Sequence, residues 1–172
     1  NFEFRADFSK FCSLRSQNFE KSDRNPKFFF TRNSKKKIAQ GFTEDDVIMY
    51  GALSAKLEGG LQNLDAIDKV VRQELDNRKI DISIYNQDEF IPFDPVSKRT
   101  EGTIKEIKSG NTWKCSKGAP QVILAMAHNH AEIEEVVSES VLSSARRGFR
   151  TIGVAVQKTP GKWEFAGLIQ LY

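Results

Sequence analysis

The sequence predicts an α+β domain: a twisted antiparallel sheet of about six strands with helices packed on it. Three observations carry that expectation. Between residues 80 and 117, short stretches with apolar residues at every second position alternate with turn signals. The helical patterns fall in two blocks, residues 43–75 and 121–147, with a run of strands between them. The chain ends on two further apolar strands joined by Thr159-Pro160-Gly161.

Residues 1–42 form a variable, partly flexible N-terminal segment, and residues 43–172 the folded domain. Phe2, Phe4, Phe8 and Phe11 give the first segment some apolar spacing, and Phe28-Phe29-Phe30-Thr31 suits a strand. Polar residues lie between, with Asn25-Pro26 as a turn signal. Lys35-Lys36-Lys37 reads as a solvated loop.

Thr43 caps a helix with Glu44, Asp45 and Asp46 in its first turn. Val47, Tyr50, Leu53 and Leu57 recur at helical spacing, and Gly59-Gly60 is expected to stop that helix. Asn63 is expected to cap a second helix, whose buried stripe is Ala66, Ile67, Val70, Val71 and Leu75. Asp65 and Asp68 read as first-turn acids that complement its dipole. Strands follow at Ile82–Ile84, at Glu89–Phe93 with Pro92 marking an edge or end, and at Lys98–Lys108. Ser109-Gly110-Asn111 turns the chain into the strand of Trp113, Cys115 and Lys117, which share one face.

Lys117-Gly118-Ala119-Pro120 joins that strand to an apolar helix, Gln121 to Ala127. Gly118 permits a turn or a close approach, and Pro120 suits a first helical turn. The junction sets a lysine beside a helix start, whose N–H groups and dipole favour anions. Ala131 to Arg147 is an amphipathic helix with acids early, arginines late and Gly148 beyond. Strands at Arg150–Gln157 and Trp163–Tyr172 complete the domain.

Composition bounds the function. The formal net charge of +3 is small for 172 residues and gives no case for nucleic acid. Two cysteines, Cys12 and Cys115, stand far apart and read as reduced thiols. No run reaches the roughly 20 apolar residues of a membrane span. The chain lacks an initiating Met and reads as a fragment or processed product. His128-Asn129-His130 lacks the Cys or carboxylate neighbours of a metal site and reads as a polar loop. No nucleophile–base motif and no Walker A loop occurs. The chain instead offers binding groups near strand ends: Phe93, Lys98, Lys117 and Arg150.

Three stretches, taken together and in order, resemble the nucleotide-binding (N) domain of P-type ATPases. They are Phe93-Asp94-Pro95-Val96-Ser97-Lys98-Arg99-Thr100, Lys117-Gly118-Ala119-Pro120, and Arg147-Gly148-Phe149-Arg150-Thr151-Ile152-Gly153-Val154-Ala155. Leu64-Asp65-Ala66-Ile67-Asp68 and Phe93-Asp94-Pro95-Val96 resemble the plasma-membrane proton-pumping subfamily. The resemblance implies the N-domain fold and a role for each matching residue. Phe93 stacks on adenine, Lys98 and Lys117 line its pocket, and Gly118 keeps room for the nucleotide. Arg150 reaches the ribose or phosphates, and Asp68 lies near the adenine amino group. Gln121 departs from the pattern, which commonly has Glu there.

The resemblance further implies ATP as ligand, with Mg in the full-length protein. The implied partners are phosphorylation, actuator and transmembrane domains of the same polypeptide, with no nucleic acid. The implied location is the cytosolic side of a plasma-membrane protein. The family's phosphorylated aspartate segment does not occur here, so the chain is expected to bind ATP and turn nothing over. A non-catalytic protein-interaction module is the alternative.

Overall fold

The computed structural model describes Ala39 and residues 41–171. The expected Phe28–Thr31 strand and the Lys35–Lys37 loop lie outside these residues. Helix α1 spans Glu44–Leu53. Thr43 caps it as expected, accepting from Asp46 N–H while the Asp46 carboxylate accepts from Thr43 N–H at 2.8 Å. Helix α2 spans Ala66–Asn77, and strands β1, β2 and β3 span Tyr85–Ile91, Arg99–Glu106 and Thr112–Gly118. Helices α3 and α4 are Pro120–Met126 and His130–Arg146; strands β4 and β5 are Arg150–Thr159 and Lys162–Leu171.

The strands form one antiparallel five-stranded sheet in chain order, β1-β2-β3-β4-β5. Of the two strands expected at 82–84 and 89–93, the first is a turn and only the second belongs to a strand, Tyr85–Ile91, at the sheet edge and ending just before Pro92. Proline cannot donate to the ladder, so the strand stops there.

The sheet's two faces separate the cores. Val47, Ile48, Leu53, Val71 and Leu75 of α1 and α2 pack on Ile104, Cys115, Val154 and Val156. On the other face, Ile123, Leu124 and Val137 of α3 and α4 pack on Ala155, Phe165 and Leu168. Val154, Ala155 and Val156 thus alternate between the two cores, as strand geometry demands. A bulge between the partners of Val154 and Ala155 lets Phe165 and Leu168 both reach the α3–α4 side.

Helix α1 stops at Leu53, well short of Gly59-Gly60. Its last carbonyls are taken by side chains of the sheet. Gln87 Nε2 donates to Leu53 O at 3.1 Å and to Ala55 O at 2.7 Å, and the Thr100 hydroxyl donates to Ser54 O at 2.7 Å. A helix end satisfied in this way needs no glycine cap. The second helix is capped by Asp65 rather than Asn63, because residues 61–63 form a short 3-10 turn and Leu64 is extended.

Arg78, the C-cap of α2, ties the two helices together. It donates to Glu74 at 2.7 Å, to Asp45 at 2.8 Å and to Glu44 at 3.2 Å. Burial alone would lower its pKa, but the hydrogen bonds to Glu74, Asp45 and Glu44 outweigh that and push it up. Arg78→Ala is expected to cost about 1–2 kcal/mol, discounted for partial exposure. Urea denaturation should show the loss shrinking in high salt.

Candidate functional site

The open edge between α2 and the ends of β2, β3 and β4 holds a cleft of about 430 Å³. Asp68, Phe93, Lys98, Lys117, Gly118 and Arg150 all line it. They come from α2, the β1–β2 loop, the end of β3 and the start of β4. Antiparallel pairing brings them together: Thr100 lies opposite Lys117, and Lys117 opposite Val154.

Lys117 is 5% exposed, so its ammonium requires a partner. It finds Asp68, with Nζ 2.8 Å from Oδ1. The separation is that of an ion pair, but Oδ1 accepts no well-directed hydrogen bond. Thr100 Oγ1 lies 3.4 Å from the same ammonium. Asp68 is held in place by α2, where its N–H donates to the Asp65 carboxylate at 2.8 Å. The two acids therefore do more than complement the dipole: Asp65 is the cap, and Asp68 is a buried counter-ion to a strand lysine.

Lys98 adopts a left-handed backbone, φ 51°, unusual for a residue with a side chain. The conformation is held from both sides. Lys98 N–H donates to Asp94 O at 2.7 Å, and Lys98 O accepts from Ala119 N–H at 3.0 Å. The Asp94 carboxylate accepts from Ser97 N–H at 2.7 Å, which holds its pKa below the ordinary range. This loop presents Phe93, 59% exposed, at the rim of the cleft.

Gly118 is where two strands approach closely. A Cβ there would stand 2.8 Å from both Cα and Cβ of Arg99. That constraint comes from the protein itself. The helix start beside it offers an anion less than the sequence suggests, since Ala119 N–H is spent on Lys98 O and Pro120 has none.

Thr100, Thr151, Ile67 and Ile152 also line the cleft, and nothing in their spacing singles them out. Thr151 Oγ1 is buried without a hydrogen-bond partner. Cys115 is fully buried behind Lys117 on the same strand face; burial pushes its thiol pKa up, and the Lys117 charge opposes only part of that. It is a packing residue, not a nucleophile. The ring Nδ1 atoms of His128 and His130 lie against backbone carbonyls of Trp163 and Ala127 at 3.0 and 3.2 Å.

The cleft thus joins an exposed aromatic ring, exposed cations and a buried ammonium–carboxylate pair. Such a set fits a planar, anionic small molecule. Among the described residues no helix is long and apolar enough to cross a membrane.

No family model matches the chain. It is 42% identical over 134 residues to a putative cation-transporting ATPase of Methanocaldococcus jannaschii, covering 77% of this chain and 16% of that protein. It is 40% identical over 105 residues to a probable proton ATPase of Leishmania donovani, covering 61% and 11%. It is 34% identical over 132 residues to a plasma membrane ATPase of Dunaliella bioculata, covering 74% and 11%. The chain therefore spans a sixth or less of the length of these relatives.

Proposed function

We propose that this chain, which belongs to the P-type cation- and proton-transporting ATPases by its likeness over most of its length, is the nucleotide-binding domain of such a pump. One observation carries the reading. Phe93, Lys98, Lys117 and Arg150, drawn from well-separated stretches, converge on one cleft of a size suited to a small ligand.

The roles follow from chemistry. Phe93 offers an exposed π-face for adenine. Lys98 and Arg150, both exposed, supply positive charge for the phosphates. The Lys117 ammonium has three donors; Asp68 and Thr100 face two, which leaves one for the nucleotide. Mg²⁺, in the full-length protein, enters with the nucleotide's phosphates, whose oxygens supply part of its coordination. Phosphoryl transfer, the membrane path and the transported ion belong to adjoining domains, the phosphorylation, actuator and transmembrane parts of a plasma-membrane pump.

Affinity is modest. Stacking contributes roughly 1–3 kcal/mol and two charge-assisted hydrogen bonds roughly 1.5–3 kcal/mol each, against an association cost of at least about 4 kcal/mol, leaving at most about 5 kcal/mol. Binding is then high-micromolar at best.

The test is an ATP titration followed by backbone amide NMR. Saturable shifts are expected at Phe93, Lys98, Lys117 and Arg150. A folded sample with no shifts at several millimolar ATP would reject the reading and turn attention to a protein-interaction module. Phe93→Ala should weaken ATP roughly fivefold to a hundredfold, the equivalent of the lost stacking. Its melting temperature should stay unchanged, because the ring is already exposed.

A further inference from the structure

We infer that Thr100 is the positioning residue that fixes the Lys117 ammonium in the cleft. The inference rests on the nucleotide-binding reading only for its consequence, not for its geometry. A threonine hydroxyl has one proton to give and lone pairs to receive. At Thr100 the proton goes to Ser54 O, 2.7 Å away. Ser54 is wholly buried at the C-cap of α1, so its carbonyl has no water to turn to. With the proton committed, the oxygen presents only lone pairs to the rest of its surroundings, and Lys117 Nζ lies 3.4 Å from it.

Register adds to this. Thr100 and Lys117 are directly opposed across β2 and β3, so both side chains rise from the same face. Thr100 is 8% exposed and lines the cleft. The Asp68 contact supplies charge without a well-directed hydrogen bond, so Asp68 alone leaves the ammonium free to swing about the carboxylate. A second acceptor, whose polarity α1 has already set, removes that freedom. The end of helix α1 therefore determines, through one hydroxyl, where the lysine points.

A pure cap role and the positioning role share the Ser54 bond and differ at Lys117. Thr100→Val keeps the shape and removes the hydroxyl; Thr100→Ser keeps the hydroxyl. The first readout needs no nucleotide: the ¹H–¹⁵N signal of the Lys117 ammonium, assigned by its loss in Lys117→Met. The parent should show this signal, since burial and hydrogen bonding slow proton exchange. It should vanish or move in Thr100→Val and return in Thr100→Ser. Thr100→Ala serves if the valine variant does not fold. A signal unchanged in the folded hydroxyl-less variant, or absent from the parent, overturns the inference.

The second readout is ATP affinity, expected to fall roughly threefold to tenfold in Thr100→Val, in line with one net hydrogen bond, and to recover in Thr100→Ser. Parental affinity in Thr100→Val overturns the inference as well. If the parent binds no ATP, the functional reading fails, and the ammonium signal alone still decides the role of Thr100.

Discussion

Lys117→Ala is expected to lower both ATP affinity and stability, and the two losses should separate when Asp68 is changed as well. The single substitution leaves the Asp68 carboxylate 8% exposed and without its ion-pair partner. Removing one member of a buried ion pair costs about 3–5 kcal/mol, because the survivor is left uncompensated. Replacing both members with uncharged groups of similar volume is often nearly neutral. Lys117→Met combined with Asp68→Asn should therefore recover most of the stability measured in urea. It should not recover binding. On the proposed reading the ammonium gives the nucleotide one charge-assisted bond worth roughly 1.5–3 kcal/mol, so affinity should stay about tenfold to a hundredfold below the parent. A double variant that is stable and binds ATP like the parent would make the pair purely structural. A double variant as unstable as Lys117→Ala would show that the ammonium's contact with Thr100, not its charge pairing, is what the fold needs.

The ion pair also marks the limit of what local sequence encodes. Period-two alternation sets Trp113, Cys115 and Lys117 on one face, and Cys115 and Trp113 do face the α1–α2 core. Helical spacing locates the buried stripe of α2 through Val70, Val71 and Leu75. Both are local periodicities, fixed by backbone geometry. The meeting of Asp68 with Lys117 depends on how α2 lies across the sheet, and no local pattern encodes that angle. The end of α1 escapes local patterns for the same reason. Its carbonyls are satisfied by Gln87 and Thr100, which are remote in sequence, so the helix stops where the sheet supplies donors and not where glycines occur. Resemblance reaches further than periodicity at the site, because it singles out residues in several stretches at once, and those residues line one cleft. Its matching stretches contain Thr100, Thr151 and Ile152 but give them no role; their positions in the cleft follow from strand register.

Gly118→Ala separates two reasons for a glycine at this position, and its expected effect is a loss of stability in the absence of nucleotide. One reason is room for a ligand, which the family resemblance implies. On that account alone the ligand-free domain would be indifferent to a methyl group. The other reason is the backbone of β2. A Cβ at Gly118 would stand 2.8 Å from Cα and Cβ of Arg99, closer than such atoms normally come, and backbone cannot swing aside as a flexible side chain can. Overpacking of this sort costs about 1–3 kcal/mol. The strain would be relieved by moving Lys98 and Arg99 away from β3. That movement breaks the contact of Lys98 O with Ala119 N–H, which helps to hold Lys98 in its left-handed conformation. The loop carrying Phe93 would shift with it, so ATP affinity should fall through displacement rather than through blockage. Thermal melting of the ligand-free variant decides between the two reasons. A lowered midpoint, with amide shifts spreading from Lys98 into the loop, places the demand for glycine in the fold. An unchanged midpoint with binding lost places it in the ligand's space, and the close approach of β2 would then be softer than its geometry implies.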